Sequence, residues 1–434
     1  MSRVNSKLAN GSEALLPSSY NLAEALFVDR DGNERDITDT CAQISIRESL
    51  YAGSLQADVN ILDAANMLEK LKVVSGEVLH LSITRRLTDG QSDEYRHTFR
   101  IAEVAHYAKP KPGTQTYVLK CISEHAYISQ MKTISKPFAN VPGQLIKNIC
   151  TDELAIDPKE LVINTETKQT IVGIYPRMRP MYLINWLTLR SYDNSSPFFF
   201  YETLGQGIHF DSYENMIEKE SHSEYKHFPY IETSPGSEEH LEALRTKIIK
   251  FSSEMNMSKY MDVAAGAYGS TLHTLDIATK TYNKTTYEYG DELKLNKNGV
   301  LPSDLKFDDR AIQEHRDSTN FYVSLNTSAA SGGSNYHAPV EGEILKANAY
   351  IENMNGTELT IQIYGDFKLC VGMTLTCIIP VNSESADRGN DTYLSGKYLV
   401  TSINHKFEDE YTMEILCKKD SYIESLDTIE PAES

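Results

Sequence analysis

The chain is short of positive charge and of paired cysteines, and each shortage removes a class of function. Its 42 lysines and arginines face 61 aspartates and glutamates, a net charge of −19 over 434 residues. Nucleic acid and anionic lipid both repel a surface of that sign, so neither is an expected ligand. The six cysteines, Cys41, Cys121, Cys150, Cys370, Cys377 and Cys417, form no Cys-x-x-Cys pair and follow no regular spacing. They read as buried thiols in a reducing compartment, not as a zinc ribbon or a disulfide framework. No stretch approaches the ~20 apolar residues that a bilayer-crossing helix requires, so no membrane insertion is expected. The opening MSRVNSKLANGSEALLPSSY lacks the apolar run of a signal peptide. Synthesis in a cytosol, with retention there or exit by a route other than secretion, is the matching expectation.

Catalytic constellations are equally scarce. GQGIHF, residues 205–210, has two glycines of a phosphate loop but lacks the third, and no strand–loop–helix unit surrounds it. It reads as a hairpin turn. His222 and His227 in HSEYKH stand five apart, so they do not share a helix face as a His-Glu-x-x-His zinc site demands. No Gly-x-Ser-x-Gly elbow is present. Carboxylates abound, and a pair such as Glu202 with Asp211 is open to a glycosidase reading. Nothing separates that pair from the acids of a solvated face. No catalytic, metal or cofactor residue is assigned, and the expected protein is not an enzyme.

What is present is folded and strand-rich. Hydrophobic residues make up 40% and charged residues 24%, the balance of a globular chain long enough for two to four domains. Tyrosine (26) against one tryptophan, Trp186, suits strands and wet interfaces. GKYLVTSINHKFEDEYTMEILCKKD, residues 396–420, alternates cleanly: Leu399, Thr401 and Ile403 face one way, Tyr398, Val400 and Ser402 the other. After a charged break at Glu408 to Glu410, Met413, Ile415 and Cys417 resume the pattern, which predicts an antiparallel strand pair.

That pattern occurs twice. Residues 76–121 begin GEVLHLSI and 372–417 begin GMTLTCII, so Gly76 and Gly372 precede strands in which Leu79 matches Leu375 and Ile83 matches Ile379. About thirty residues on, a strand ends at His106 in one copy and at His405 in the other. Each returns through a Thr-x4-Cys strand, Thr116 to Cys121 and Thr412 to Cys417. Upstream lie Leu55, Ala57, Val59 and Ile61 in one copy and Leu359, Ile361 and Ile363 in the other. A diverged duplication is the expectation; the alternative is a chance match, since alternation and turn residues are common. A histidine repeated in two sheets reads as structural, holding a turn or a cross-strand partner. The first copy alone carries DAANMLEKLKVVSG, a helical spacing after Asp63 as N-cap.

The expected order along the chain is an arm (1–20), a tube-like barrel (21–125) opening on a hairpin at Asp31-Gly32, and a helical or mixed connection (126–221) with helices near 139–156 and 179–194. Strands of the second barrel and the start of an insertion follow (222–290). A polar insertion and Gly/Ser linker come next (291–340), then the rest of the second barrel (341–420) and an acidic tail (421–434). The fold class is mainly β with α+β insertions.

The middle segment RPMYLINWLTLRSYDNSSPFFFYETLGQGIHFDSYENM and the closing LSGKYLVTSINHKFEDEYTMEILCKKD, set among two barrel-like units, resemble the baseplate central hub proteins of contractile-tailed bacteriophages. Those proteins are related in fold to the base of type VI secretion spike proteins, and the resemblance covers residues 21 to 420. It implies a homotrimer in which each chain donates two tail-tube-like barrels. The resulting pseudo-hexamer meets a sixfold tail tube protein, or a tube-initiating baseplate protein, on one face and a trimeric spike protein on the other. Genomic DNA would pass through without specific binding, in a virion tail baseplate assembled in the host cytoplasm. No β-helix repeat or lysozyme-like segment is visible, so the spike would be a separate protein. Tyr422, Ile423 and Leu426 in the tail are its candidate contacts. Two other readings stand beside this one: a cell-wall glycan hydrolase, which needs two carboxylates in unlike surroundings, and a carbohydrate-binding tail protein, which needs an exposed aromatic platform.

Overall fold

Period-two alternation decides most of the architecture. In the first unit, β1 (Asn21–Val28) turns into β2 (Glu34–Asp36) where the Asp29 carboxylate accepts the Asp31 and Asn33 N–H groups and Gly32 takes a φ of +81°. β3 (Cys41–Ser49), β4 (Gln56–Asp63), β5 (Val78–Arg86), β6 (Ser92–Lys111) and β7 (Thr114–Ser123) complete it. β7 buries every second residue, the signature of one apolar face. Between β4 and β5 lies the short α1 (Met67–Leu71), whose Met67 N–H is accepted by Asp63 at 2.6 Å. The computed structural model describes residues 17–71, 73–86, 92–168, 170–193, 196–228, 237–255, 264–266, 269–276, 280–288, 306–307, 310–311, 320–325, 340–381, 390–391 and 393–420.

A connecting region follows, with α2 (Glu124–Met131), β8 (Pro137–Asn140), α3 (Pro142–Asp152), β9 (Leu161–Ile163), β10 (Ile171–Ile174), α4 (Pro180–Thr188) and β11 (Tyr192–Asp193). It ends in β12 (Ser196–Thr203), β13 (Gly207–Ser212) and α5 (Tyr213–Glu218). Both α3 and α4 start on a proline in the first turn, where its missing N–H costs nothing. Ile146 and Ile149 of α3 pack against Leu183, Ile184 and Leu187 of α4 and against Phe198, Phe200 and Phe210. Every residue of β12 is buried. One face of it, Phe198 and Phe200, serves this helical core, and the other, Phe199 and Tyr201, serves the main one.

The remainder comprises β14 (Glu224–Lys226), α6 (Glu238–Arg245), β15 (Lys250–Met255), β16 (Gly269–Asp276), β17 (Thr281–Glu288), β18 (Lys306–Phe307), β19 (Arg310–Ala311) and β20 (Asn320–Leu325). After these come α7 (Val340–Met354), β21 (Thr357–Tyr364), β22 (Thr374–Ile378), β23 (Gly396–Phe407) and β24 (Tyr411–Lys419). One large sheet runs β15-β21-β24-β23-β3-β4-β7-β6-β5-β1-β2, with β22 and β14 branching from β23. Both units therefore share one hydrogen-bonded sheet, and their apolar faces share one core, with Ile46, Val59 and Leu119 beside Ile361, Ile403 and Ile415.

Within that sheet β4-β7-β6-β5 and β21-β24-β23-β22 have the same order. The registers agree residue by residue: Ala57↔Cys121 with Leu359↔Cys417, Val59↔Leu119 with Ile361↔Ile415, and Leu79↔Phe99 with Leu375↔Tyr398. A bulge falls at the same place in both, between Ile101 and Glu103 and between Val400 and Ser402. Ahead of each, a left-handed glycine donates across: Gly76 N–H to Ile101 O at 2.8 Å and Gly372 N–H to Val400 O at 3.0 Å.

Several expectations need correction. The 222–290 stretch is not all strand: Ser237 caps α6 by accepting the His240 N–H, His227 and Phe228 lie in no strand, and 229–236 fall outside the described residues. The second unit is preceded by α7, whose Leu345, Ala349, Tyr350 and Met354 are buried at helical spacing. Of the expected arm, Ser18 and Tyr20 pack at the β23–β24 turn: Ser18 O accepts the Tyr411 N–H at 2.8 Å, and the Tyr20 ring sits edge-on to Phe407. Residues 1–16, the linker at 326–339 and the tail at 421–434 lie outside the described residues.

A Cβ on Gly372 would stand 2.2 Å from the Tyr201 hydroxyl, which is buried and has nowhere to go. Gly372→Ala should therefore cost about 2 kcal/mol or more, from left-handed strain plus the clash. Adding Tyr201→Phe should restore part of the loss in a denaturant titration; no loss in the single variant would contradict this geometry.

Candidate functional site

The joint between the two units is a six-residue antiparallel ladder, Ser402↔Ser49 through Phe407↔Ile44. On β3 the inward positions read Ile44, Ile46 and then Glu48, a carboxylate where alternation calls for an apolar side chain. Glu48 is fully buried. Its Oε1 accepts the Leu204 N–H at 2.6 Å and its Oε2 the Val371 N–H at 3.1 Å. His405 Nε2 stands 3.3 Å from Oε1, and its Nδ1 meets the Tyr411 hydroxyl at 2.9 Å. The Ser402 hydroxyl donates to Glu48 O at 3.0 Å. One side chain thus ties β3 to the turn after β12, to the loop ahead of β22 and to β23. Burying a carboxyl group is costly unless its oxygens are hydrogen-bonded, and here both are.

Glu202 is another buried carboxyl. Its Oε2 accepts the Leu55 N–H at 2.7 Å and the Ser123 hydroxyl. His97 Nε2 lies 3.7 Å from Oε1 and His125 Nε2 3.8 Å from Oε2, although His125 points its closer contact, 2.8 Å, at Gly53 O. These groups border a cavity of about 850 Å³ that also meets His80, Arg96 and Glu160. Asp211, also fully buried, accepts from Asn164, Thr165, Asn215 and Lys219. Glu202 pairs across with Ile208, and Asp211 is three residues further along β13, so the two acids point to opposite faces of the hairpin. They do not form the facing pair that glycoside cleavage needs.

His222 and His227 are likewise separated in role. His222 Nε2 meets Asp366 at 2.9 Å, and His227 sits edge-on to Phe251 with ring centres 4.9 Å apart. Among the described residues, no group of three His, Cys, Asp or Glu side chains is placed to hold a metal ion. The Gly205-Gln206-Gly207 segment is the β12–β13 turn, and a Cβ on Gly207 would stand 2.3 Å from Glu160 O. Burial pushes the Cys41 and Cys150 thiols up to about 12 and raises those of Cys121, Cys370 and Cys417 further, so none is a ready nucleophile.

The repeat positions fall on matching strands but not in matching surroundings. Thr116 and Thr412 both enter the returning strand, and Cys121 and Cys417 both face the core. His405 is buried at the joint, whereas His106 is exposed, with a φ of +53°, in an extra bulge between Ala105 and Ala108. The histidine positions do not reveal His405's partner Glu48, whose signal is an acidic residue at an inward strand position. Tyr422, Ile423 and Leu426 lie outside the described residues.

This doubled sheet with a helical insertion is a fold already seen in tail proteins. Two solved structures share it over nearly their whole length. A 43 kDa tail protein of prophage MuSo2 from Shewanella oneidensis matches with a TM-score of 0.53 at 12% identity, covering 93% of this chain and all of that one (100%). A tail protein from Neisseria meningitidis matches with a TM-score of 0.51 at 13% identity, covering 93% of this chain and 97% of that one. No protein-family model matches the chain, and no curated protein does.

Glu48→Ala would orphan the Leu204 and Val371 N–H groups at the joint. The expected cost is roughly 2–6 kcal/mol, about 1–3 for each donor, with Glu48→Gln falling between it and wild type. Equal stability of all three in denaturant would refute the role given to Glu48.

Burial holds His97 and His209 below the ordinary 6.5, His209 further helped by Lys219. The unfolded chain takes up these protons near pH 6.5 and the folded chain resists them, so their stabilising effect is complete above that pH and lost as it falls. Melting temperature should drop between pH 7 and 5, and less steeply in His209→Phe, which keeps the stack on Tyr201. An unchanged slope would remove His209 from the account.

Proposed function

We propose that this chain is a structural component of a phage-type tail, a hub that assembles as a ring-shaped homotrimer and adapts a sixfold tail tube to a threefold spike. The observation that carries the reading is the doubled strand order, β4-β7-β6-β5 and β21-β24-β23-β22, in a chain sharing its fold with tail proteins. A unit present twice per chain is present six times in three chains. A threefold ring can then offer sixfold-like contacts on one face through closed head-to-tail joints. Residues 21–125 supply one unit and the segment ending with 341–420 completes the other.

The charge of −19 supports the channel part of the reading, because DNA slides past an acidic wall without adhering. The partners on this reading are a tube protein or tube-initiating baseplate protein above and a trimeric spike below, in a virion tail. The tail from Ser421 to Ser434, with Tyr422, Ile423 and Leu426, is the proposed spike contact. No catalytic role is proposed: the buried acids Glu48, Glu202 and Asp211 spend their oxygens on backbone and side-chain donors of the same chain.

Light scattering of the purified protein should give about three chains per particle, as closed head-to-tail symmetry requires. A salt series should show weak or no DNA binding even at low ionic strength. A strict monomer that stays monomeric with its tube and spike partners would sink the hub reading.

A further inference from the structure

The joint inside the chain is a template for a joint between chains. Eight antiparallel strands run β15-β21-β24-β23-β3-β4-β7-β6 across the large sheet. They are two sets of four in the same order, β15-β21-β24-β23 and β3-β4-β7-β6. β15 holds the place of β3, since Phe251↔Ile361 corresponds to Ile44↔Val59 once Ile361 is matched to Val59. The centre of the sheet joins the last strand of one set, β23, to the first strand of the other, β3. The two ends of this eight-strand run are therefore a first strand and, beyond Arg100 where β6 has left β5, a last strand, the same complementary pair left apart. Among the described residues β15 pairs only with β21, and beyond Arg100 β6 pairs only with β7.

We propose that β6 of one copy pairs antiparallel with β15 of the next, in the register that β23 and β3 use within the chain. This rests on the hub reading and names its chain-to-chain contact. The internal pair Asn404↔Arg47 then sets Ala105 opposite Glu254 of the neighbour, and Ile403↔Glu48 sets Val104 opposite Met255. Past the bulge, Ala108 takes the place of Lys406, because each faces the repeat threonine, Thr116 or Thr412. Ala108 therefore falls opposite Ser252. The extra residue leaves His106 and Tyr107 together opposite Ser253.

The exposures agree with an edge waiting for a strand. Glu103, His106, Ala108, Ser252 and Glu254 are exposed, and Tyr107 is 48% exposed. Bare N–H and C=O groups along such an edge invite a further strand. A second copy is the occupant that fits, since this chain already contains the mating edge and uses it at its own centre. The two kinds of joint are not chemically alike. Where the internal one buries His405 against Glu48, the one between chains brings up a strand whose bulge histidine, His106, is exposed.

The test is a disulfide scan in the full chain. Ala105→Cys with Glu254→Cys, and independently Ala108→Cys with Ser252→Cys, place partners directly across the proposed ladder, where Cβ atoms lie about 4.5–5.5 Å apart. Ala105→Cys with Ser252→Cys is two residues out of register, about 7–8 Å apart. Five native cysteines are buried and the sixth, Cys41, is half-buried, so background is low. Mild oxidation should give ladders ending at a covalent trimer for both in-register pairs and several-fold less for the offset pair, with wild-type light scattering run alongside. A trimer by scattering without in-register links overturns the strand pairing and leaves the hub reading standing. Equal linking by the offset pair overturns the register. A monomer overturns both.

Discussion

A carboxyl group with no access to water can be kept only where its oxygens find donors, and Glu48 meets that condition at a point where four parts of the chain converge. Its oxygens reach the turn after β12, the loop ahead of β22 and the histidine of β23, all from a strand of the opposite unit. Moving any one of these pieces strands a buried polar atom. Hydrophobic burial makes the sheet stable, but an apolar residue at position 48 would tolerate a slip of the β23–β3 ladder, whereas a hydrogen-bonded carboxyl does not. Register specificity, more than net stabilisation, is what such a group contributes.

The two units keep the same hydrogen-bond plan while differing in what surrounds it. The glycines at 76 and 372 both stand against a tyrosine hydroxyl, but Tyr127 comes from α2 and Tyr201 from β12. The first unit inserts α1 between its strands, held by Asp63, where the second passes from β21 to β22 through Gly365 and Asp366. The plan survives because it is backbone geometry: a bulge and a left-handed glycine can be kept while every side chain around them is replaced.

Legibility in the sequence followed the same division. Strands such as β7, β21 and β24 were readable because each keeps one wet and one apolar face, and period two shows through at once. β12 was readable as a strand only from its aromatic content, since it is buried on both sides and has no alternation left. α6 and α7 carry their own signals, Ser237 and the Leu345–Ala349–Met354 spacing, but these are weaker than the strand-like alternation of the neighbouring stretches. The site was the least legible part. His405 stood out as a residue type, but its meaning depends on Glu48, which is 357 positions away. His106, its counterpart by position, carries none of that meaning, because one extra residue in the bulge turns it outward.

The ladder between β23 and β3 also has a mechanical consequence. Its bonds are loaded together when one unit slides along the strands past the other, and only one at a time when the units are peeled apart. Sliding is therefore the stiff direction and peeling the soft one. The Glu48 contacts sit near the Ser49 end of that ladder, against the end from which peeling would otherwise start. A chain built this way has no hinge at its centre. The two units instead share one continuous twisted sheet, stiffest against sliding along the strands.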